Sequence, residues 1–173
     1  PEAQPSLREQ VPLEAPKAPA PAADTRPVIA CFGDSITAGF GLEPGQTYPD
    51  VLQKLIDAEG YQYRVVNLGI SGDTTQGALE RIQSVIELKP KVTIVEIGGN
   101  DGLRGIPVIR SRDNLAQMAV RIKATGSKVL VAGITLPANY GREYIQAFDS
   151  MYTTVAKTSG DGLIPMVLNG IWN

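Results

Sequence analysis

Histidine is absent from all 173 residues. The commonest general base for a serine nucleophile is therefore missing from this sequence. Cysteine occurs once, at Cys31. One cysteine excludes an internal disulfide, and without histidine beside it argues against a zinc site. Cys31 sits in an apolar run and reads as a small buried hydrophobe. No apolar run is long enough for a membrane span. Sixteen basic residues stand against eighteen acidic ones, with no basic cluster. Neither nucleic acid nor an anionic membrane surface is suggested as a partner.

Length and apolar content suit one domain with a substantial core. Residues Pro1 to Pro27 hold seven of the thirteen prolines, many alanines and little periodicity. They read as an extended tether ahead of a domain spanning 28–173. The chain starts at proline, as a processed precursor would, and a Pro/Ala tether suits a periplasmic or secreted protein whose signal peptide has been removed. An arbitrary sequence boundary accounts for the start nearly as well.

From Val28 onward, strand and helix signals alternate. Strands are expected at Val28–Phe32, Tyr63–Asn67, Val92–Ile97, Lys128–Ile134 and Leu163–Leu168. A helix between Pro49 and Gly60 carries Val51, Leu52, Leu55 and Ile56 on one face. A second, capped by Asp73 or Thr74, carries Leu79, Ile82, Val85 and Ile86 and is closed by Pro90. A third carries Leu115, Met118, Ala119 and Ile122, and a fourth Tyr144, Phe148, Met151, Tyr152 and Val155. This alternation predicts an α/β fold: three α/β/α layers around a doubly wound, five-stranded parallel sheet. Strand C-termini then share one edge, where ligands bind. The loops after the first four strands bring Ser35, Gly72, Asn100 and Leu136 to that edge.

Those residue types suit acyl transfer. Ser35 leaves a buried strand at the sharp turn Gly33-Asp34-Ser35, with helix N–H groups close by. The spacing to Gly39 does not fit the G-x-S-x-G elbow. The Gly72 N–H and the Asn100 side-chain amide can donate to an oxyanion, and one such donor contributes on the order of 3 kcal/mol to transition-state stabilisation. Asp34, Asp73 and Asp101 each lie beside a turn glycine and read first as cap or turn carboxylates.

Gly33-Asp34-Ser35, Ser71-Gly72-Asp73-Thr74 and Gly99-Asn100-Asp101 resemble three of the four sequence blocks of the SGNH (GDSL) hydrolases. The longer runs Glu96 to Gly105 and Leu136 to Arg142 resemble the thioesterase I, lysophospholipase L1 and arylesterase branch. The similarity covers about residues 28 to 169. It implies a flavodoxin-like fold, a Ser35 nucleophile, and an oxyanion hole from the Ser35 and Gly72 N–H groups plus Asn100. It also implies small-molecule ester or thioester substrates and no cofactor. Leu103, Ile106, Leu136 and Pro137 would line the acyl groove, with Asp34 also at the substrate.

The family's fourth block, D-x-x-H, has no complete counterpart here. Asp161-Gly162-Leu163-Ile164-Pro165 matches it with isoleucine in place of histidine. Either this is a degenerated block, or it is the fifth strand and the true block lies beyond Asn173. The apolar run 163–168 favours the second. The expectation is then a chain lacking the last helix of its fold, with apolar sheet surface uncovered and almost no activity alone. A complementing C-terminal piece of the same protein becomes a candidate partner. Two further readings stay open: a non-catalytic acyl-binding or scaffold protein, and a carbohydrate or acetyl esterase of the same fold.

Overall fold

A computed structural model describes residues 24–171, so most of the expected tether and the last two residues lie outside the described part. Five strands run in the order β2-β1-β3-β4-β5, all parallel: β1 Val28–Gly33, β2 Arg64–Gly69, β3 Val92–Glu96, β4 Lys128–Ala132 and β5 Gly162–Ile164. Gly33, Glu96, Ala132 and Ile164 stand level across the sheet. The residues following them therefore gather at one edge.

The chain first steps from β1 to one side and then builds β3, β4 and β5 on the other. With right-handed crossovers, that reversal puts the β1–β2 connection on one face and the later helices on the opposite one. The first face receives α2, Tyr48–Ala58. The second receives α3 (Thr75–Glu80), α4 (Gln83–Ile86), α6 (Val108–Lys123) and α7 (Arg142–Ser159). Here lies the core: Ala30, Phe32, Val95, Ile97 and Val131 pack under Ile82, Val85, Leu115, Met118, Phe148, Met151 and Tyr152. Alternation along the strands sends every second residue there.

The α2 face is thinly covered. Ile29, Ile94, Leu130 and Ile164 remain half-buried. On α2 itself Val51 and Leu55 are 44% and 59% exposed, so half of the apolar stripe expected to face inward is open to solvent.

Several boundaries differ from expectation. The strand expected over 163–168 pairs only through Ile164, because Pro165 has no N–H to continue the ladder. The Val167 N–H returns to the Gly133 carbonyl at 2.8 Å. The second expected helix is two short ones, broken at Arg81 and Ile82. Thr74, not Asp73, caps the first of these, accepting from the Gly77 N–H at 3.2 Å. Helix α2 starts one residue before Pro49, behind a reciprocal cap between Thr47 and Asp50.

Candidate active site

Gly33 ends β1, and a Cβ there would lie 2.3 Å from the Glu96 carbonyl oxygen and 2.1 Å from Thr37 Oγ1. Only glycine allows the turn to be drawn this tightly onto β3. The next two residues enter α1, Ser35–Ala38, a single turn closed by Gly39 in the left-handed region. Asp34 caps that turn, its Oδ1 accepting from the Ile36 N–H at 3.1 Å. One turn supplies little macrodipole, so the electrostatic help expected at Ser35 comes down to local N–H groups. Ser35 is half-buried, and no side chain among the described residues hydrogen-bonds its hydroxyl.

Gly72 sits at φ 81° in the loop after β2. That left-handed conformation suits glycine and leaves its N–H without a partner among the described residues. Its carbonyl accepts from Arg104 Nη2 at 3.0 Å. Asn100 lies not in a loop but in α5, Gly99–Leu103. Its Nδ2 donates to the Asp73 carbonyl at 2.8 Å and lies 3.4 Å from Asp34 Oδ2. Asn100 therefore meets both neighbouring loops, and the three blocks singled out in the sequence converge at the C-terminal edge.

Around them lies a buried frame. Asp101 is 1% exposed and accepts from the Thr75 N–H at 2.8 Å, Thr75 Oγ1 at 2.5 Å and Ser111 Oγ at 2.9 Å. It ties the Gly72 loop to α5 and α6. Glu96 has no exposure, and its Oε2 lies 2.8 Å from Thr37 Oγ1, one turn beyond Asp34. Burial, then the neighbouring Asp34, pushes its carboxyl up to about 8. Burial first, and the charges of Asp73 and Asp101 after it, also raise Asp34. Burial lifts the Cys31 thiol to about 11, so Cys31 is an inert core residue as its strand position suggests.

The residues expected to meet substrate divide. Leu103 is 50% exposed, and Ile106 and Pro137 are half-buried. Leu136 is 5% exposed: it packs over Gly102, where a Cβ would be 2.5 Å from Leu136 Cδ2, and is a core residue rather than groove lining. Asp34, 2% exposed, is turned inward as the cap of α1 and is not on a substrate surface. An open depression of about 900 Å³ runs along α7 past Ala138, Arg142, Ile145 and Asp149, and contains neither Ser35 nor Asn100. Asp161 lies at the opposite end of the sheet from Ser35, before Gly162 of β5, with Lys123 Nζ 3.0 Å from its carboxylate. From there it does not reach Ser35. Among the described residues no three His, Cys, Asp or Glu side chains form a group that could hold a metal ion.

Sequence reasoning passed over Arg81, Glu96, Tyr140 and Tyr144. One carried a signal: Glu96 ends a strand otherwise uncharged.

A five-stranded parallel sheet in this order, with a serine on the strand-to-helix turn of β1 and glycine and asparagine on the adjoining strand ends, is a doubly wound α/β fold with the residue types of an acyl-transfer site at its C-terminal edge. Residues 31–173 match the model of the GDSL-like lipase/acylhydrolase family, and the chain belongs to that family. It is 47% identical over 144 residues to Esterase TesA of Pseudomonas aeruginosa, covering 83% of this chain and 72% of that protein. It is 36% identical over 154 residues to the thioesterase 1/protease 1/lysophospholipase L1 of Escherichia coli K12, covering 88% and 71%. The crystal structure of AlinE4, an SGNH-hydrolase family esterase, superposes with a TM-score of 0.82 at 36% identity, covering 86% of this chain and 80% of that one.

Proposed function

We propose that this chain is the nucleophile-bearing part of a serine esterase or thioesterase. Ser35 attacks the carbonyl carbon of an acyl or aryl ester, or of an acyl thioester, and the alcohol or thiol leaves. The acyl group stays on Ser35 Oγ until water releases it as the carboxylate. The Ser35 and Gly72 N–H groups and the Asn100 amide stabilise the oxyanion. The observation that carries this reading is the position of Asn100, held on the Asp73 carbonyl and within reach of the Asp34 turn.

The proton on Ser35 needs an acceptor that this sequence lacks, since it contains no histidine. We infer that the base is a histidine outside these 173 residues, on a segment that also covers the open sheet face. Loss of that member of a triad costs about a millionfold in kcat. The exposed Leu103 and the half-buried Ile106 and Pro137 support an apolar acyl or aryl group in the substrate. A periplasmic or secreted location fits the Pro/Ala-rich segment before β1.

Imidazole can stand in for the missing base. With p-nitrophenyl esters, the chain alone is expected to give no burst at neutral pH. Added imidazole is expected to give hydrolysis above its own background, and Ser35→Ala is expected to abolish the excess. A burst without imidazole refutes the external-base reading. Stoichiometric binding of acyl chains with no Ser35-dependent turnover favours the non-catalytic acyl-binding alternative. A preference for acetate over longer acyl chains favours the carbohydrate or acetyl esterase alternative.

A further inference from the structure

Arg81 stands at the break between α3 and α4, with its guanidinium turned in beneath the site. Nε donates to Asp73 Oδ2 at 2.7 Å, Nη1 to the Leu68 carbonyl at 2.8 Å and Nη2 to the Gly33 carbonyl at 3.0 Å. The guanidinium carbon lies 4.3 Å from the centroid of the Phe32 ring. The Arg81 and Asp73 side chains are 20% and 10% exposed, so the pair is largely shielded from solvent.

Each acceptor belongs to a different part of the site. Gly33 is the residue from which the Ser35 turn departs. Leu68 is next to the end of β2, from which the Gly72 loop departs. Asp73 follows Gly72, and its carbonyl holds the Asn100 amide at 2.8 Å. A planar cation with several donors in fixed directions can satisfy three acceptors at once, which a lysine ammonium on a flexible stem cannot do in the same geometry. Gly77 makes room for this arrangement: a Cβ there would lie 2.2 Å from Asp73 Oδ1.

We propose that Arg81 is a positioning residue that fixes the nucleophile turn, the Gly72 loop and the Asn100 amide relative to one another. It touches no reacting atom. Its contribution is the separation and angle between Ser35 and the donors facing the oxyanion, and this role rests on the ester-hydrolase reading above. Displacement of a reacting group by about 1 Å costs on the order of a hundredfold in rate.

Two measurements on the 173-residue chain decide it. In amide NMR spectra, Arg81→Ala is expected to shift the Gly72 N–H and the Asn100 side-chain amide while Val131 and other β4 amides stay in place. Methylguanidinium is expected to return the shifted signals towards their original positions, and Arg81→Lys, which keeps the charge and loses the fork, is expected to show most of the shift. In the imidazole-supported assay, Arg81→Ala is expected to lower kcat about a hundredfold with little change in KM. Unmoved Gly72 and Asn100 signals in a folded variant overturn the proposal. So does movement shared equally by the distant strand amides, which marks a merely structural role. If Arg81→Ala does not fold, Arg81→Lys is scored by the same signals. If the unsubstituted chain shows no Ser35-dependent turnover, the ester-hydrolase reading falls, and the Gly72 and Asn100 signals still decide whether Arg81 sets the geometry.

Discussion

Glu96 closes β3 with no exposure, and its Oε1 is buried without a partner among the described residues. Burial raises its folded-state pKa to about 8, against an ordinary 4.5. A carboxyl whose folded pKa lies above its unfolded one binds the extra proton in the folded state. Stability therefore falls as pH rises from about 4.5 to about 8, and the penalty is fully present above that. Glu96→Gln removes the titration. Its advantage over the parent chain, read from urea midpoints, is expected to grow across that window and level off on the order of 3–5 kcal/mol. A difference independent of pH would show that Glu96 is already ionised where it lies. Asp101 is buried too, but accepts three hydrogen bonds. In Asp101→Asn one oxygen becomes a donor facing other donors. A loss of about 1–3 kcal/mol is expected in denaturant titration.

Among the elements, the segment from Leu103 to Pro107 depends on a neighbour. The Tyr140 hydroxyl donates to the Leu103 carbonyl at 3.0 Å and the Tyr144 hydroxyl to the Ile106 carbonyl at 2.9 Å. The start of α7 and the 3-10 turn before it thus hold the apolar loop nearest the site. Tyr140→Phe with Tyr144→Phe is expected to speed proteolytic cutting within 103–107 and to cost about 1 kcal/mol per bond, with α6 and the sheet unaffected. Neither bond was legible in the sequence: Tyr144 in a helical stripe reads as core, and Tyr140 in a loop gives no sign that its hydroxyl finds a carbonyl across the fold. The strand and helix order and the three glycine-bearing blocks were legible, since periodicity and turn residues are local signals. The break at Arg81 was not. Leu79, Ile82, Val85 and Ile86 keep helical spacing across it, and the acceptors that hold Arg81 lie on other strands. Leu136 was placed in the groove for a similar reason: its burial over Gly102 is a tertiary fact that no local pattern carries.

At the scale of the whole molecule, the two sheet faces should respond differently to the same kind of substitution. Val131 is fully buried among the α6 and α7 residues, while its neighbour Leu130 is half-buried on the α2 face. Val131→Ala is expected to cost about 2 kcal/mol in urea titration. Leu130→Ala, although it removes more carbon, is expected to cost less than about 1 kcal/mol, because the side chain is partly in water already. If a further segment covers this face, supplying it should raise the cost of Leu130→Ala to that of a core leucine, about 2–5 kcal/mol.

The strand order also sets a sequence of events. Both partners of β1, together with Ser35, Gly72 and Asn100, belong to the first 100 residues, so these three are synthesised before β4. The far edge arrives last, and β5 is secured to β4 by three residue pairs. Opening should begin there and spread inward, leaving β1 the slowest to exchange its amide hydrogens. Early wear on this protein would then fall at the edge farthest from β2, while the serine turn keeps its shape longest.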